Sequence, residues 1–443
     1  MATERMSRVD TSWLRMDSDV NLMVIVGVWM LEPKVSLDAV RRRCAERLAR
    51  YGRFHQKVVV DALGASWVDD DAFDIAHHVQ AVKLERRRGQ SRRAALQALC
   101  GRLAATPFDA ERPLWQFLLV EDYEGGSALV ARIHHCIADG MALISVMLGL
   151  TDDDKGRARR RKRTAQAQAH DAQARRGPAD GAADWLRKGS KIVQDVAALA
   201  LLSDDSPTRL KGKGSGKKVV AWTDPLPLDA VKVVGKALGC TINDVLLSCA
   251  AGAIGSWLRD QGDDPQGQEI RAMVPVDLRA SEDAGTLGNR FGLAPLVLPI
   301  GIANPLDRLY AVRRRMADMK GSYQPLLAFG ILTLTGLFVK PMQDAVLGMF
   351  VKKATAVMTN VPGPREPLKL CGSTLRRIVF WVPATGDIGV HLSILSYAGG
   401  VQMALMTDEA LCARPGEIIE RFEPEFRRLR PVAMALAGPG RKS

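Results

Sequence analysis

The chain has 443 residues, 47% hydrophobic and 25% charged, which fits an ordinary globular protein long enough for two or three domains. A net charge of +13 and a pI near 9.6 imply anionic partners, with nucleic acid, an anionic lipid surface and a phosphorylated small molecule as the competing classes. The seven cysteines are odd in number and scattered without CxxC spacing, which excludes a disulfide framework or zinc knuckle and suits a reducing compartment.

Residues 1–19 mix Arg, Asp and Glu and lack the apolar core of a secretory signal, so a cytoplasmic location is expected. A β-branched run over 21–33 reads as a buried strand. Ser36 then opens a helix whose apolar positions Leu37, Val40, Cys44, Leu48 and Tyr51 recur every three to four residues. Strands are expected over 115–121 and 128–133, joined by a glycine-containing turn, and the second delivers a double histidine at its end. Residues 151–217 have a linker's composition: seven of the nine positions 155–163 are basic, a short apolar piece at 193–202 reads as a helix, and a second basic run covers 211–218.

Beyond it, helices are expected over 228–238, 242–259, 305–320 and 415–428, and strands over 269–276, 293–300, 354–358 and 378–382. Residues 388–406 read as a hairpin around Gly399-Gly400. The apolar stretch 326–339 is shorter than the roughly 20 residues a bilayer span needs, so it is a core or interfacial helix. These elements predict an α/β protein divided into 1–150, the linker 151–217, and 218–443.

The chemistry centres on His134-His135-Cys136-Ile137-Ala138-Asp139-Gly140. Successive strand residues point to opposite faces, so only one imidazole can face a given cavity. Histidine suits a general base near neutral pH, and Asp139 could orient the ring or fix the loop through an arginine. The same pair also reads as two satisfied polar residues at a strand end. His77-His78 lacks the following Asp-Gly and is assigned no chemistry. A metal site at His135 and Asp139 lacks a third ligand at any nearby spacing. No GxSxG nucleophile elbow occurs, and Gly212 to Lys218 has the wrong glycine spacing for a phosphate loop, so it reads as flexible linker.

Ser7-Arg8-Val9-Asp10 with Trp13-Leu14, Pro113-Leu114-Trp115, the HHxxxDG segment, Asn243-Asp244, residues 274–279, Gly288-Asn289 and residues 359–364 occur in order. In this set the sequence resembles the bacterial wax ester synthase/acyl-CoA:diacylglycerol acyltransferases over most of its length. The HHxxxDG segment alone is shared with peptide-synthetase condensation domains; the ordered set is more specific. The resemblance implies two domains like chloramphenicol acetyltransferase with an active-site tunnel between them. It also implies transfer of a fatty acyl group from acyl-CoA to a long-chain alcohol or diacylglycerol, without an acyl-enzyme or added cofactor.

By the same resemblance His135 is the base, His134, Asp139 and Gly140 complete its motif, and Asn243 places the acyl carbonyl or stabilises the oxyanion. Arg279 is the expected partner of Asp139. Pro113, Leu114, Trp115, Asp244, Gly288 and Asn289 are expected on the substrate side, although the tryptophan motif also reads as scaffold, Asn243 as part of a helix cap and Gly288-Asn289 as a turn. The family's Ser-Tyr-Asn-Gly is Ser396-Tyr397-Ala398-Gly399 here, which puts in doubt any hydrogen bond that the asparagine makes. The basic run at 155–163 is expected to dock the protein on an anionic membrane or lipid-body surface. Two alternatives stand beside this reading: a transferase of the same fold with a small polar acceptor, and a non-enzymatic basic protein.

Overall fold

The computed structural model describes residues 3–61, 64–152, 203–278, 289, 291–320, 324–335, 340–383 and 388–437. The basic run at 155–163, the helix expected at 193–202, Arg279 and Gly288 lie outside them.

The first half runs β1 (Thr3–Arg5), α1 (Arg8–Arg15), β2 (Val24–Glu32), α2 (Leu37–Leu48), β3 (Gln56–Asp61), β4 (Gly64–Asp69), α3 (Ile75–His78), β5 (Val79–Ala81), α4 (Arg92–Ala104), β6 (Trp115–Tyr123), β7 (Gly126–His134) and α5 (Gly140–Leu150). Hydroxyls of Ser7, Ser36 and Ser91 cap α1, α2 and α4 by accepting a first-turn amide. Strand β2 is apolar almost throughout because both its faces are covered. Val24, Val26 and Val28 enter one hydrophobic cluster, and Trp29 and Leu31 enter another. Between β6 and β7 the two-residue turn Glu124-Gly125 has φ of 48° and 81°, the left-handed pair that matches strand twist in a tight hairpin.

The second half runs β8 (Lys218–Trp222), β9 (Leu226–Pro227), α6 (Leu228–Ala237), α7 (Ile242–Asp260), β10 (Ile270–Asp277), β11 (Phe291–Leu298), α8 (Pro305–Lys320), α9 (Gln324–Thr335), α10 (Lys340–Val351), β12 (Ala356–Pro362), β13 (Lys369–Leu370), β14 (Ser373–Trp381), β15 (Val390–Tyr397), β16 (Gly400–Asp408), α11 (Gly416–Ile419) and α12 (Phe422–Ala437). Helix α7 is buried along most of its length, and its Ser248 carbonyl accepts from Arg308 of α8, whose guanidinium pairs with Glu425 of α12. Among the described residues no single helix is long and apolar enough to cross a membrane.

The described strands form three sheets. The first is β13-β14-β2-β7-β6-β5, the second β11-β10-β12-β15-β16-β8 with β9 also beside β16, and the third the small β1-β4-β3. The α/β architecture agrees with expectation, but sheet membership does not follow the two sequence halves. Strand β14 leaves the second half and pairs antiparallel with β2, setting Phe380 opposite Gly27 and Trp381 opposite Val26. It is tied back to the second sheet by Ser393, whose hydroxyl donates to the Phe380 carbonyl, and by the Gln402 amide, which donates to the Ile378 carbonyl.

The Gly212 to Lys218 stretch, expected as flexible linker, is a docked turn. Asp408 is buried beneath it and accepts from the Ser215 amide (2.8 Å), the Gly216 amide (3.0 Å) and Lys218 Nζ (3.1 Å). The glycines let backbone amides surround an internal carboxylate. At Gly214 a Cβ would stand 2.7 Å from Asp408 Oδ2.

Candidate active site

Strand β7 is held on both sides at its end. The His134 amide donates to the Leu114 carbonyl at 2.9 Å, and the His135 amide to the Met23 carbonyl at 2.7 Å. Alternation along the strand then separates the two imidazoles. The His134 ring turns away from the cavity: its Nδ1 accepts from the Cys136 amide at 3.1 Å, and its Nε2 stands 3.3 Å from Asp17 Oδ1. The His135 ring lies in a cavity of roughly 450 Å³ between the first and second sheets.

Trp13 of α1 stacks on the His135 imidazole, ring centres 4.2 Å apart and planes 17° apart, and Phe291 of β11 lies 5.6 Å away. Burial pushes the imidazole from its ordinary 6.5 down to about 4, against the opposing pull of Asp139. His135 is therefore neutral at physiological pH. Its Nδ1 is sealed from solvent and has no hydrogen-bond partner among the described residues.

The cavity walls come from β2, β7 and β14 on one side, β10, β11, β12 and β15 on the other, and α5 and α9. Among the described residues that line it, the only polar side chains besides tryptophan are His135, Asp139, Thr359 and Asn360, and none is Lys or Arg. Such a chamber offers one base inside an otherwise apolar room. It can deprotonate a hydroxyl held there and exclude competing water.

Asp139 lines this cavity and caps α5, accepting the Ala142 amide at 3.0 Å, and Gly140 lines it as the first residue of that helix. Asn243 stands one bond behind the wall: its Oδ1 accepts from Nδ2 of Asn360 at 2.7 Å, and Asn360 faces the cavity. Asp244 is not among the lining residues. It completes a capping box with Thr241, each side chain accepting the other's amide. Pro113, Leu114 and Trp115 are also absent from the lining; Trp115 is fully buried, its indole N–H donating to the Phe54 carbonyl at 2.9 Å while His78 stacks on its ring.

Asn289 has a bridging place. Its Nδ2 donates to Asp10 Oδ1 at 2.7 Å and to the His135 carbonyl at 2.9 Å, while Arg53 pairs with Asp10 at 3.3 Å and donates to the Ile137 carbonyl at 2.9 Å. The backbone on either side of Cys136 is thus held by an asparagine and an arginine that share one aspartate. Asp10 and Trp13, three apart on α1, reach this region from one helix face. Their spacing was legible; Arg53 carried no sequence signal for this role.

Residues 6–246 match the family model described as the wax ester synthase/diacylglycerol acyltransferase catalytic domain, and residues 287–430 match the WS/DGAT C-terminal domain. The chain belongs to this family. As a member it is an O-acyltransferase, and acyl-CoA with an alcohol or diacylglycerol is the substrate set that the family implies. A probable diacylglycerol O-acyltransferase of Mycobacterium tuberculosis is 27% identical, with 96% of this chain and 95% of the relative covered. A second Mycobacterium tuberculosis protein, described as a putative diacylglycerol O-acyltransferase, is 25% identical, with 98% of each chain covered. The solved wax ester synthase/diacylglycerol acyltransferase of Marinobacter aquaeolei shares the fold at TM-score 0.67 and 19% identity, covering 97% of this family member and 99% of that chain. The first condensation domain of the calcium-dependent antibiotic synthetase shares it at TM-score 0.59 and 15% identity, covering 98% and 96%.

Proposed function

We propose that this chain moves a fatty acyl group from acyl-CoA to the hydroxyl of diacylglycerol, with His135 as the general base. The observation that carries the reading is the buried His135 imidazole facing an apolar cavity between two sheets, where burial lowers its proton affinity. The names of the mycobacterial relatives favour diacylglycerol as acceptor over a long-chain alcohol.

In this mechanism His135 takes the hydroxyl proton as that oxygen attacks the thioester carbonyl carbon. The tetrahedral intermediate collapses by breaking the C–S bond, and the imidazolium returns the proton to the departing CoA sulfur. Donor and acceptor occupy the cavity together, so no acyl-enzyme forms. Low basicity favours return of the proton to the leaving group, and Asn360, held by Asn243, supplies an amide on the second-sheet wall. The absence of Lys and Arg from the described lining fits an alkyl chain inside, with the CoA phosphates left outside the chamber.

The test incubates purified protein with palmitoyl-CoA and, separately, a diacylglycerol and a panel of long-chain alcohols, following thiol release and ester formation. Triacylglycerol formed with stoichiometric thiol release is expected. Thiol release without ester would refute acyl transfer to these acceptors, and preference for an alcohol would correct the acceptor. Double-reciprocal plots should intersect; parallel lines with an acyl group trapped on the protein would require a nucleophile instead.

A further inference from the structure

The cavity face of β2 presents Ile25, Gly27 and Trp29 in alternation. Sheet register extends each level sideways. Gly27 pairs with Ala131 on β7 and Phe380 on β14; the level toward His135 holds Ile25 beside Ile133, and the level away from it holds Trp29 beside Ile378. Two large levels therefore flank one where β2 and β7 carry only a hydrogen and a methyl, with Phe380 of β14 bounding it on the far side.

Nothing local requires glycine at this position. Gly27 is absent from the glycines with positive φ, so strand backbone there accepts any side chain. A Cβ would meet Phe380 Cβ and the Val379 carbonyl oxygen at 3.7 Å, an ordinary contact. Glycine inside a strand sacrifices packing and marks places where another group approaches the backbone closely. The volume that it leaves opens into the reaction cavity.

We propose that the gap over Gly27 and Ala131 seats the alkyl chain of a substrate, with Gly27 setting the chain length accepted and Trp29 forming the wall beyond it. Ala131 lies four residues before His135, which directly follows the end of β7, about 14 Å at roughly 3.4 Å per residue. A short chain ends before the gap; a long one must cross it. The inference rests on the reading that the cavity holds the reacting chains. A donor acyl chain and an acceptor hydrocarbon are both runs of methylenes, so experiment must separate them.

Wild type, Gly27→Ala, Gly27→Leu and His135→Ala are compared as full chains, with melting temperatures recorded. One arm varies the donor as octanoyl-, lauroyl- and palmitoyl-CoA against a fixed acceptor. The other holds palmitoyl-CoA fixed and varies acceptor chain length among alcohols and diacylglycerols. Gly27→Leu should lower kcat/KM for the longest chain by roughly tenfold relative to the shortest, the discrimination expected of a few misfitted methylenes, and Gly27→Ala should do so less. The arm that moves identifies the chain seated there. An unchanged length profile in both arms, or equal loss at every length, would overturn the inference, and Gly27→Ala carries the test if the leucine variant does not fold. His135→Ala should fail at every length; if it retains turnover, the base assignment fails while the length profile still judges the gap.

Discussion

An imidazole stacked on Trp13 and sealed from water holds its proton poorly, which gives His135 a pH signature of its own. Its value near 4 means that the base is already neutral at pH 6.5, where an exposed histidine is half protonated. The acid limb of kcat/KM should therefore fall well below 6.5, leaving activity nearly flat between pH 6 and 7 on protein shown to remain folded; a half-point at 6.5 would contradict the burial. His135→Ala should cost about 10²–10⁴-fold in kcat, the usual share of general base catalysis. Behind the ring, Asn289→Ala removes two donors from buried acceptors, Asp10 and the His135 carbonyl. We expect a loss of about 1–3 kcal/mol in stability together with reduced kcat, and an unchanged melting temperature would rule out this bracing role. His135 was readable because the strand-then-helix pattern places the motif, whereas Asn243 acting through Asn360 was not, since their contact joins residues 117 apart.

At the scale of elements, turns and caps account for several motif residues. Ala398 occupies the first position of the β15–β16 turn with φ of 48°, followed by Gly399 at 81°. Asn-Gly is favoured in such a turn because asparagine tolerates left-handed backbone. The family's asparagine is thus explained here as a turn residue, and Ala398→Asn should raise stability, by up to about 1 kcal/mol, with kcat unchanged; lower stability would point to a different backbone. Asp244→Ala removes half of the α7 capping box and should cost about 1 kcal/mol, measured by denaturant titration, with KM little altered. Most strands and helices were legible from their hydrophobic period. What local pattern could not reveal was which sheet a strand joins: residues 378–382 read as a strand, yet nothing in their alternation says that their neighbour is β2, more than 340 residues earlier.

For the whole molecule, acid should act first through buried histidines. His78, His135 and His391 are all pushed below 6.5 chiefly by burial, the last to about 3. The unfolded chain therefore takes up protons before the folded one, so their contribution is complete above pH 6.5 and is lost as pH falls toward 4. Asp10, raised by burial, and His134, raised against its burial to about 10 by Cys136 and Asp17, work in the opposite direction, while Asp152 and Asp408, which are lowered, lose their contribution only at more acid pH. Melting temperature should fall between pH 7 and pH 5, and a rise over that interval would contradict the buried neutral state of these rings.

The crossing of β14 into the first sheet also sets an order in time. A ribosome making this chain releases β2 early, but the strand that pairs along its outer edge emerges roughly 350 residues later, about 20 to 70 s at ordinary elongation rates. Throughout that interval Val26, Val28 and Met30 belong to a strand with one open side, the arrangement most prone to pairing with another chain. The nascent protein should therefore depend on chaperones during synthesis. A fragment ending at residue 217 should aggregate when expressed alone, even though it contains the entire HHxxxDG segment.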